Sequence, residues 1–319
     1  MSIALPRPKS LFGYDVVGTL SEGNAHPLYV VCHPDNGQLH VLKHAVRKSD
    51  KDIELIEQLQ AEFEISKSFR SPFLRKCVDL KITKKLLGGP TEAGLIMELV
   101  DGEAMENITG LTPVDMVNVF MQIAKALATL HHQRFLHCQV KPHHILVSAD
   151  GQAKLIDFSH ACKIGGLQSK TAGMSEFIAP EQVQCKSLSE VTDIYNFGAT
   201  LYWALTHHRV PSFLTVKESE WDSLIEQPYP TPHMLNPQVP EPLSKLTMWC
   251  CQVSFGSRPK DMNMVIGGLE TVAKAIQAAT PPPPPAPTPA SVRQGQAARS
   301  ARPPSRASRV AHPLSFGDA

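Results

Sequence analysis

Side chains that could bind a metal ion or assist a reaction are concentrated between residues 131 and 157. The stretch 131–144 contains five histidines, Cys138, Gln139 and Lys141, and Asp157 follows two short strand-like runs. Imidazole and thiolate groups suit zinc or copper, whereas the carboxylate of Asp157 suits a hard cation such as magnesium. A structural metal site is one interpretation. It fails if His137 belongs to the core and the other histidines are spread around a loop.

Two kinds of secondary structure must position these side chains. Up to about residue 100 the pattern predicts short strands, at 28–31, 40–43 and 95–97, with one helix from about Asp50 to Phe69. Beyond residue 110 helices dominate. Thr112-Pro113 predicts a helix start, because threonine is a favoured N-cap and proline fits the first helical position. The buried face of this helix is expected to contain Met116, Phe120, Ile123, Leu127 and Leu130.

Two further strand-like runs flank the polar stretch. Residues 145–147 and 153–156 are joined by Asp150-Gly151, which is a strong hairpin signal. A small β-rich part followed by a larger helical part leaves a cleft between them, where ligands usually bind. We therefore predict an α+β chain with two lobes.

Several short motifs follow one another at regular separations. Residues 137–147 read His-Cys-Gln-Val-Lys-Pro-His-His-Ile-Leu-Val, residues 157–159 read Asp-Phe-Ser, and residues 179–181 read Ala-Pro-Glu. They resemble H-R-D-L-K-P-x-N-I-L, D-F-G and A-P-E of the eukaryotic-type protein kinase superfamily, closest to its Ser/Thr branch. Asp193 begins a stretch like the family's D-x-W/Y-x-x-G, and Arg258 stands where the family's arginine pairs with the A-P-E glutamate.

The resemblance covers residues 11 to about 270 and implies a bilobal protein-kinase-like fold. We expect a short N-terminal extension at 1–10, a small β-rich N-lobe at 11–100 and a larger helical C-lobe at 101–275. Residues 276–319 form a separate segment, which is described below.

The resemblance also assigns a nucleotide-binding role to several residues. Lys43 ends a strand as the lysine of V-A-I-K does, and Glu62 is expected to hold it so that it orients the phosphates of ATP. Asp157 is expected to hold Mg²⁺. The alternatives are a lysine and a glutamate on separate surfaces, and an aspartate that caps a turn. Further ATP contacts are expected from Leu20, Gly23, Leu28, Val41, Met97, Glu98, Val100 and Leu146.

The glycine-rich loop of the family is degraded in residues 20–28. Only Gly23 remains of three glycines, although glycine is what lets the backbone approach the phosphates. Pro27 removes an N–H donor, Glu22 adds negative charge, and Val41 replaces an alanine that packs on adenine. An ordinary hairpin loop is an equal alternative. We therefore expect either weak binding of ATP and Mg²⁺ or none.

Positions that the family uses for phosphoryl transfer are also altered. Gln139 replaces the aspartate that accepts the hydroxyl proton, and an amide cannot act as a base at neutral pH. His144 replaces the asparagine that holds a second Mg²⁺, and Met174 replaces a threonine whose hydroxyl contacts the aspartate and the lysine matching Lys141. Cys138 replaces the arginine that binds an activation-loop phosphate, so activation by phosphorylation is not expected.

Two functions remain compatible with this pattern. One is a pseudokinase that binds ATP weakly and acts as a scaffold or regulatory partner. The other is a slow Ser/Thr kinase that transfers the γ-phosphate of ATP to a protein hydroxyl, because Lys43, Glu62, Lys141 and Asp157 are retained. Both imply ATP and a protein partner or substrate.

Composition limits the other partners and the location. Thirty-one basic and thirty acidic residues provide no basic stripe for nucleic acid. No run approaches the roughly 18 apolar residues of a membrane helix, and prolines interrupt the N-terminus where a signal peptide needs an apolar stretch. We expect a cytoplasmic protein with no membrane partner. The seven cysteines lack paired spacing and are expected to be reduced thiols.

The composition changes sharply near Thr280. Residues 276–319 are rich in Pro, Ala, Ser and Arg and have few large apolar residues, which predicts a disordered tail. A solvated linker is the simpler interpretation. A docking or phosphorylated segment is the alternative.

Overall fold

A computed structural model describes residues 8–22, 26–85, 89–167, 176–211, 213 and 229–279. A β-rich N-terminal lobe precedes a mainly helical C-terminal lobe, which confirms the predicted α+β bilobal fold. Gly23, Met174 and residues 280–319 lie outside the described residues, so the predictions made for them are not tested. Residues 276–279, which were predicted to belong to the disordered tail, are instead the last turn of a helix.

The described elements follow the chain in this order. The strands are β1 Ser10–Leu11, β2 Tyr14–Ser21, β3 Leu28–Cys32, β4 Leu39–Val46, β5 Cys77–Lys84, β6 Pro90–Glu98, β7 Glu103–Ala104, β8 Phe135–Leu136, β9 Ile145–Val147, β10 Ala153–Leu155 and β11 Cys162–Lys163. The helices are α1 Ile53–Lys67, α2 Pro113–His132, α3 Pro180–Val183, α4 Glu190–Thr206, α5 Pro232–Leu235, α6 Glu241–Cys250 and α7 Met262–Ala279.

The N-terminal lobe is an antiparallel sheet with strand order β1-β2-β3-β4-β6-β5. Strand β4 is buried along most of its length because both faces of the sheet are covered. Val41 and Ala45 pack with α1, whereas Leu42 points to the other face and packs with Tyr14 and Val31. This alternation follows from the two-residue period of a strand.

Helix α1 covers one face of this sheet. The predicted helix of residues 50–69 begins instead with a short 3-10 turn at Asp50–Asp52, and the α-helix ends at Lys67. Ile56 and Leu59 are fully buried against the sheet. Glu62 lies on the same buried side, so an acidic residue is held inside the lobe.

Helix α2 forms the centre of the C-terminal lobe. Thr112 is its N-cap and accepts a hydrogen bond from the backbone N–H of Asp115, whose carboxylate accepts from Thr112 in return. This capping box confirms the predicted helix start. The ring of Phe120 packs edge-on against Phe197 of α4. The predicted buried face is confirmed for Met116, Phe120, Ile123, Leu127 and Leu130.

The predicted hairpin beside the polar stretch forms between β9 and β10. The two strands pair in antiparallel register, with Val147 opposite Ala153, and Gly151 adopts a positive φ of 80° in the turn. Strand β7 pairs with the other edge of β9. Strand β9 directly follows the loop of residues 137–144, and strand β10 ends just before Asp157. The hairpin therefore holds these two parts of the candidate site beside each other.

Candidate active site

Lys43, Glu62 and Asp157 meet at one point although they lie on three different elements. The Nζ of Lys43 is 2.8 Å from Glu62 Oε2 and 3.0 Å from Asp157 Oδ1. The predicted contact between Lys43 and Glu62 is therefore confirmed. Burial disfavours the charged amine, but the two carboxylates outweigh it and raise the pKa of Lys43 above its ordinary value. The lysine is a permanent cation.

Asp157 is held with its backbone in the left-handed region, at φ 68°. Burial opposes its ionisation, but the charge and hydrogen bond of Lys43, together with the backbone N–H of Ser159, outweigh burial and keep the pKa of the carboxyl well below its ordinary value. The next residue completes the arrangement, because the backbone N–H of Phe158 donates to Glu62 Oε1 at 3.3 Å. Glu62 thus contacts both the lysine and the turn that carries the aspartate.

Phe158 anchors this turn in the core. Its ring is 1% exposed and packs edge-on against Phe69 and His137, at centroid distances of 5.2 and 5.7 Å. His137 is fully buried, and its Nε2 lies 3.2 Å from the carbonyl oxygen of Ile156. His137 therefore belongs to the core, which is one of the two conditions under which a structural metal site at these histidines fails.

His144 lies directly against Asp157. Its Nδ1 is 2.9 Å from the carbonyl oxygen of Gln139, which can only accept, so Nδ1 carries the proton. Burial lowers the pKa of His144 to about 3, and the ring is neutral at pH 7. Its unprotonated Nε2 then points at Asp157 Oδ2 from 3.2 Å. A lone pair on His144 Nε2 therefore faces a lone pair on Asp157 Oδ2. A cation bound between these two atoms would stabilise this arrangement.

Gln139 and Lys141 occupy the loop between His137 and the hairpin. The side chain of Gln139 is buried, and its backbone N–H donates to His137 Nδ1 at 3.3 Å. Lys141 is half-buried, and burial lowers its pKa although Asp157 opposes this effect. The loop thus has the amide of Gln139 where the resemblance expects a base. Lys141 is close enough to Asp157 for the carboxylate to favour the charged form of the lysine.

Asp193 of helix α4 fixes the backbone at the start of this loop, at His137 and Cys138. Its Oδ2 accepts the backbone N–H of His137 at 2.8 Å and lies 2.9 Å from His131 Nε2, and its Oδ1 accepts the N–H of Cys138 at 2.7 Å. Burial opposes its ionisation, but His131 and these donors outweigh it and lower the pKa of Asp193. Helix α4 begins at Glu190, so the aspartate lies in its first turn rather than at its start.

Residues expected to contact adenine lie together at the other end of the cleft. Val41 faces Met97 across strands β4 and β6, both are 1% exposed, and Leu28 packs against the same cluster. These three side chains therefore pack together where the resemblance expects adenine to bind. Leu146 and Val100 are half-buried, and Leu20 on β2 is exposed. The carboxylate of Glu98 is engaged with Lys154 at 2.5 Å.

These residues fit ATP and Mg²⁺ in part. The carboxylate of Asp157 is a suitable ligand for one Mg²⁺, and Lys43 is placed to contact phosphate oxygens. His144 presents nitrogen where a second Mg²⁺ would need oxygen, so a second magnesium does not fit.

The histidines near the loop have separate partners. His131 lies against Asp193, His143 pairs with Glu106 at 2.8 Å, and His144 faces Asp157. Among the residues that the structure describes, no three His, Cys, Asp or Glu side chains are arranged to hold a metal ion. The histidines are therefore distributed around the loop rather than gathered at a tetrahedral site.

Two further histidines near this site were not singled out from the sequence. His26 reaches from the loop after β2 to helix α1, where its Nε2 lies 3.0 Å from the carbonyl oxygen of Leu55. Burial lowers the pKa of both His26 and His160, and the negative charge of Asp157 partly opposes this shift in both. The signal in the sequence is their position, since His26 lies within the degraded glycine-rich loop of residues 20–28 and His160 directly follows the Asp-Phe-Ser motif.

Arg258 and Glu181 form the predicted ion pair in the C-terminal lobe. Arg258 donates to both carboxylate oxygens, at 2.7 and 3.0 Å, and also to the carbonyl oxygens of Gln252, Val191 and Val253. The guanidinium lies over the ring of Tyr195. This pair joins α3 to the chain that precedes α7.

Fold, motif order and site geometry agree with one family. The protein kinase domain model matches residues 14–266, which is most of the chain. The chain therefore belongs to the protein kinase family, whose members generally bind ATP and Mg²⁺.

Individual similarities lie among Ser/Thr protein kinases. The chain is 29% identical over 271 residues to serine/threonine-protein kinase PknA of Mycobacterium tuberculosis, covering 82% of this chain and 59% of that protein. It is 27% identical over 218 residues to mitogen-activated protein kinase kinase 9 of Arabidopsis thaliana, covering 66% and 68%. A probable serine/threonine-protein kinase of Clostridium acetobutylicum is 28% identical over 186 residues, covering 56% and 28%.

Within the described residues, no helix combines the length and apolar character needed to cross a membrane.

Proposed function

We propose that this protein-kinase domain is a pseudokinase, which binds ATP weakly in the cleft and acts as a scaffold or regulatory partner of another protein. The observation that carries the proposal is Gln139, a buried amide in a loop whose backbone is fixed by His137 and His144. General-base assistance contributes about 10²–10⁴-fold to a rate, and an amide cannot provide it.

Retention of the phosphate end of the cleft supports nucleotide binding. Lys43 remains a buried cation, held between Glu62 and Asp157, and Asp157 remains ionised. The larger side chain of Val41, buried against Met97 where the family has an alanine, supports weak rather than tight binding. One Mg²⁺ on Asp157 is part of the proposal, and a second on His144 is not.

Slow phosphoryl transfer to a protein hydroxyl is the second candidate. Phosphoryl transfer depends mainly on positioning and charge stabilisation, and the Lys43–Glu62 pair that it requires is formed. The similarity to Ser/Thr kinases over 82% of the chain also favours this candidate. The two candidates therefore differ in turnover and share the nucleotide site.

A thermal-shift titration tests nucleotide binding. Mg-ATP at ten times its dissociation constant should stabilise the protein by about 1.4 kcal/mol, or roughly 3–6 °C in melting temperature. Asp157→Ala should abolish the shift, because it removes the carboxylate that would hold Mg²⁺. Lys67→Met is the matched control, since Lys67 is an exposed lysine on α1, and its shift should equal that of the wild type.

Incorporation of label from γ-labelled ATP separates the two candidates. A pseudokinase gives no incorporation in either the wild type or Lys43→Met. Incorporation that disappears in Lys43→Met and persists in Lys67→Met would contradict the pseudokinase proposal. No thermal shift at millimolar nucleotide would contradict nucleotide binding and leave a scaffold alone.

A further inference from the structure

Two thiols face each other between strand β11 and the loop of residues 137–144, which aligns with the catalytic loop of kinases. The sulfur of Cys138, which directly precedes Gln139, lies 3.6 Å from the sulfur of Cys162, the first residue of β11. Both are free cysteines. The resemblance to kinases assigns no function to either thiol, and the proposed nucleotide site does not use them.

The backbone of Cys138 is fixed from two sides. Its N–H donates to Asp193 Oδ1 at 2.7 Å, and its carbonyl oxygen accepts from Gln182 Nε2 at 2.8 Å. Its φ of 64° lies in the left-handed region. The backbone at Cys138 is therefore fixed by hydrogen bonds, and the residue is only 2% exposed.

Cys162 approaches from strand β11. It pairs with Leu136 in antiparallel register, and its side chain packs with Leu136, Leu188 and Ile164 around the thiol of Cys138. Cys162 is half-buried, whereas Cys138 is buried. One thiol of the pair is thus accessible to a small reagent and the other is sheltered behind it.

We propose that Cys138 and Cys162 are an oxidation site, at which a peroxide or a low-molecular-weight disulfide converts the two thiols into a disulfide that joins the catalytic loop to β11. This proposal does not depend on whether the cleft binds nucleotide or transfers phosphate.

The surroundings of the two sulfurs assign their roles in the reaction. Cys162 is half-buried, whereas Cys138 is only 2% exposed, and its contact with Cys162 and its burial raise the pKa of the Cys138 thiol. The thiolate is the reactive form of cysteine. Cys162 is therefore the attacking residue, and Cys138 is the residue that resolves the intermediate.

The reaction with hydrogen peroxide balances in two steps. The sulfur of Cys162 attacks one peroxide oxygen, the O–O bond breaks, and sulfenic acid and one water form once the proton is counted. The sulfur of Cys138 then attacks the sulfenic sulfur, the S–O bond breaks, and the second water leaves. Two thiols lose two electrons and two protons in total, and one peroxide becomes two waters. With oxidised glutathione, the same electrons produce two reduced glutathione molecules.

Bond formation requires only a local movement. A disulfide needs its sulfurs at about 2.05 Å, so these must approach by about 1.5 Å. The backbone of Cys138 is clamped, and the movement therefore falls on side-chain rotation and on β11, which is only two residues long. The resulting crosslink would enclose Gln139, Lys141, His144 and Asp157 within one covalent loop.

Mass spectrometry of the full chain tests the bond directly. After treatment with oxidised glutathione or hydrogen peroxide, blocking of free thiols and digestion without reductant, a peptide pair joining Cys138 to Cys162 should appear and should disappear with dithiothreitol. The oxidised protein should melt about 5–10 °C higher than the reduced protein, because the crosslink constrains the unfolded chain.

Matched cysteine variants keep the test specific. Cys162→Ser should lose both the crosslink and the redox-dependent melting shift, whereas Cys32→Ser, at a half-buried thiol on β3, should keep both. Mapping on the wild type remains informative even if Cys138→Ser does not fold. A crosslink between other cysteines, or unpaired thiols at both positions after oxidation, would overturn the proposal.

Discussion

At the scale of single residues, Gln139 is the change that bears most directly on the proposed loss of phosphoryl transfer. The loop around Gln139 is well held, since Asp193 accepts the backbone N–H groups of His137 and Cys138, and the ring of His137 packs on Phe158. An amide has no basic oxygen at neutral pH, and glutamine is one methylene longer than the aspartate it replaces, so Gln139 removes the basicity and also lengthens the side chain. A defect of this kind is testable by a single substitution.

Gln139→Asp should restore the missing base. We expect label transfer from γ-labelled ATP to rise by about 10²–10⁴-fold over the wild type, provided that the rest of the site is competent. Gln139→Asn is the matched control, because it changes the length of the side chain without supplying a carboxylate. Equal rates for the Asp and Asn variants, with unchanged melting temperatures, would show that another defect, such as His144, limits turnover.

At the scale of secondary-structure elements, a buried ion pair between Arg258 and Glu181 joins α3 to the chain that precedes α7. Arg258 and Glu181 are nearly inaccessible, and the arginine also satisfies three backbone carbonyls. An exposed pair, Lys245 and Glu241, lies at a similar distance of 2.9 Å on α6. The two pairs have similar N–O distances and differ in exposure, so a comparison of their mutants separates the effect of burial.

Arg258→Met should destabilise the protein by about 3–5 kcal/mol, because it leaves the carboxylate of Glu181 buried without a partner. Lys245→Met, at the exposed pair, should change the free energy of unfolding by less than about 1 kcal/mol. Urea denaturation monitored by tryptophan fluorescence measures both. A loss at Arg258 no larger than at Lys245 would mean that Glu181 is reached by water.

At the scale of the whole molecule, several histidines are held neutral by burial. His137 and His144 are the most enclosed, and burial lowers the pKa of each below the ordinary value. In the unfolded chain both would titrate near pH 6.5. Below that pH the unfolded state binds protons that the folded state does not, so the folded state loses stability as the pH falls. The pKa is also lowered for His26, His40 and His160.

The free energy of unfolding should therefore decrease between pH 6.5 and pH 5. Each histidine that stays neutral in the folded state contributes up to about 1.4 kcal/mol per pH unit. Urea midpoints at pH 7.5, 6.5 and 5.5 measure the slope, and His144→Asn should make it shallower. Identical slopes for the wild type and His144→Asn would contradict a neutral His144. Asp157 and Asp193, whose pKa values are lowered, lose their contribution only below about pH 3.8.

The sequence by itself determined the fold class and much of the local structure. The helix start at Thr112, its buried face and the hairpin at Asp150-Gly151 follow from rules that operate over a few residues, and all three are confirmed. The kinase motifs also placed Lys43 with Glu62 and Arg258 with Glu181. Strands β2 and β5 were not predicted, because exposed residues interrupt their apolar pattern.

Only the tertiary structure decided which partners the polar side chains have. No local pattern shows that Asp193, some fifty residues later, clamps the loop at His137, or that His144 turns Nε2 toward Asp157. The contact between Cys138 and Cys162 likewise arises because β8 and β11 pair across the intervening hairpin. Hydrogen bonds, burial and pKa values depend on distances between segments that are remote in sequence, and such distances exist only in the folded chain.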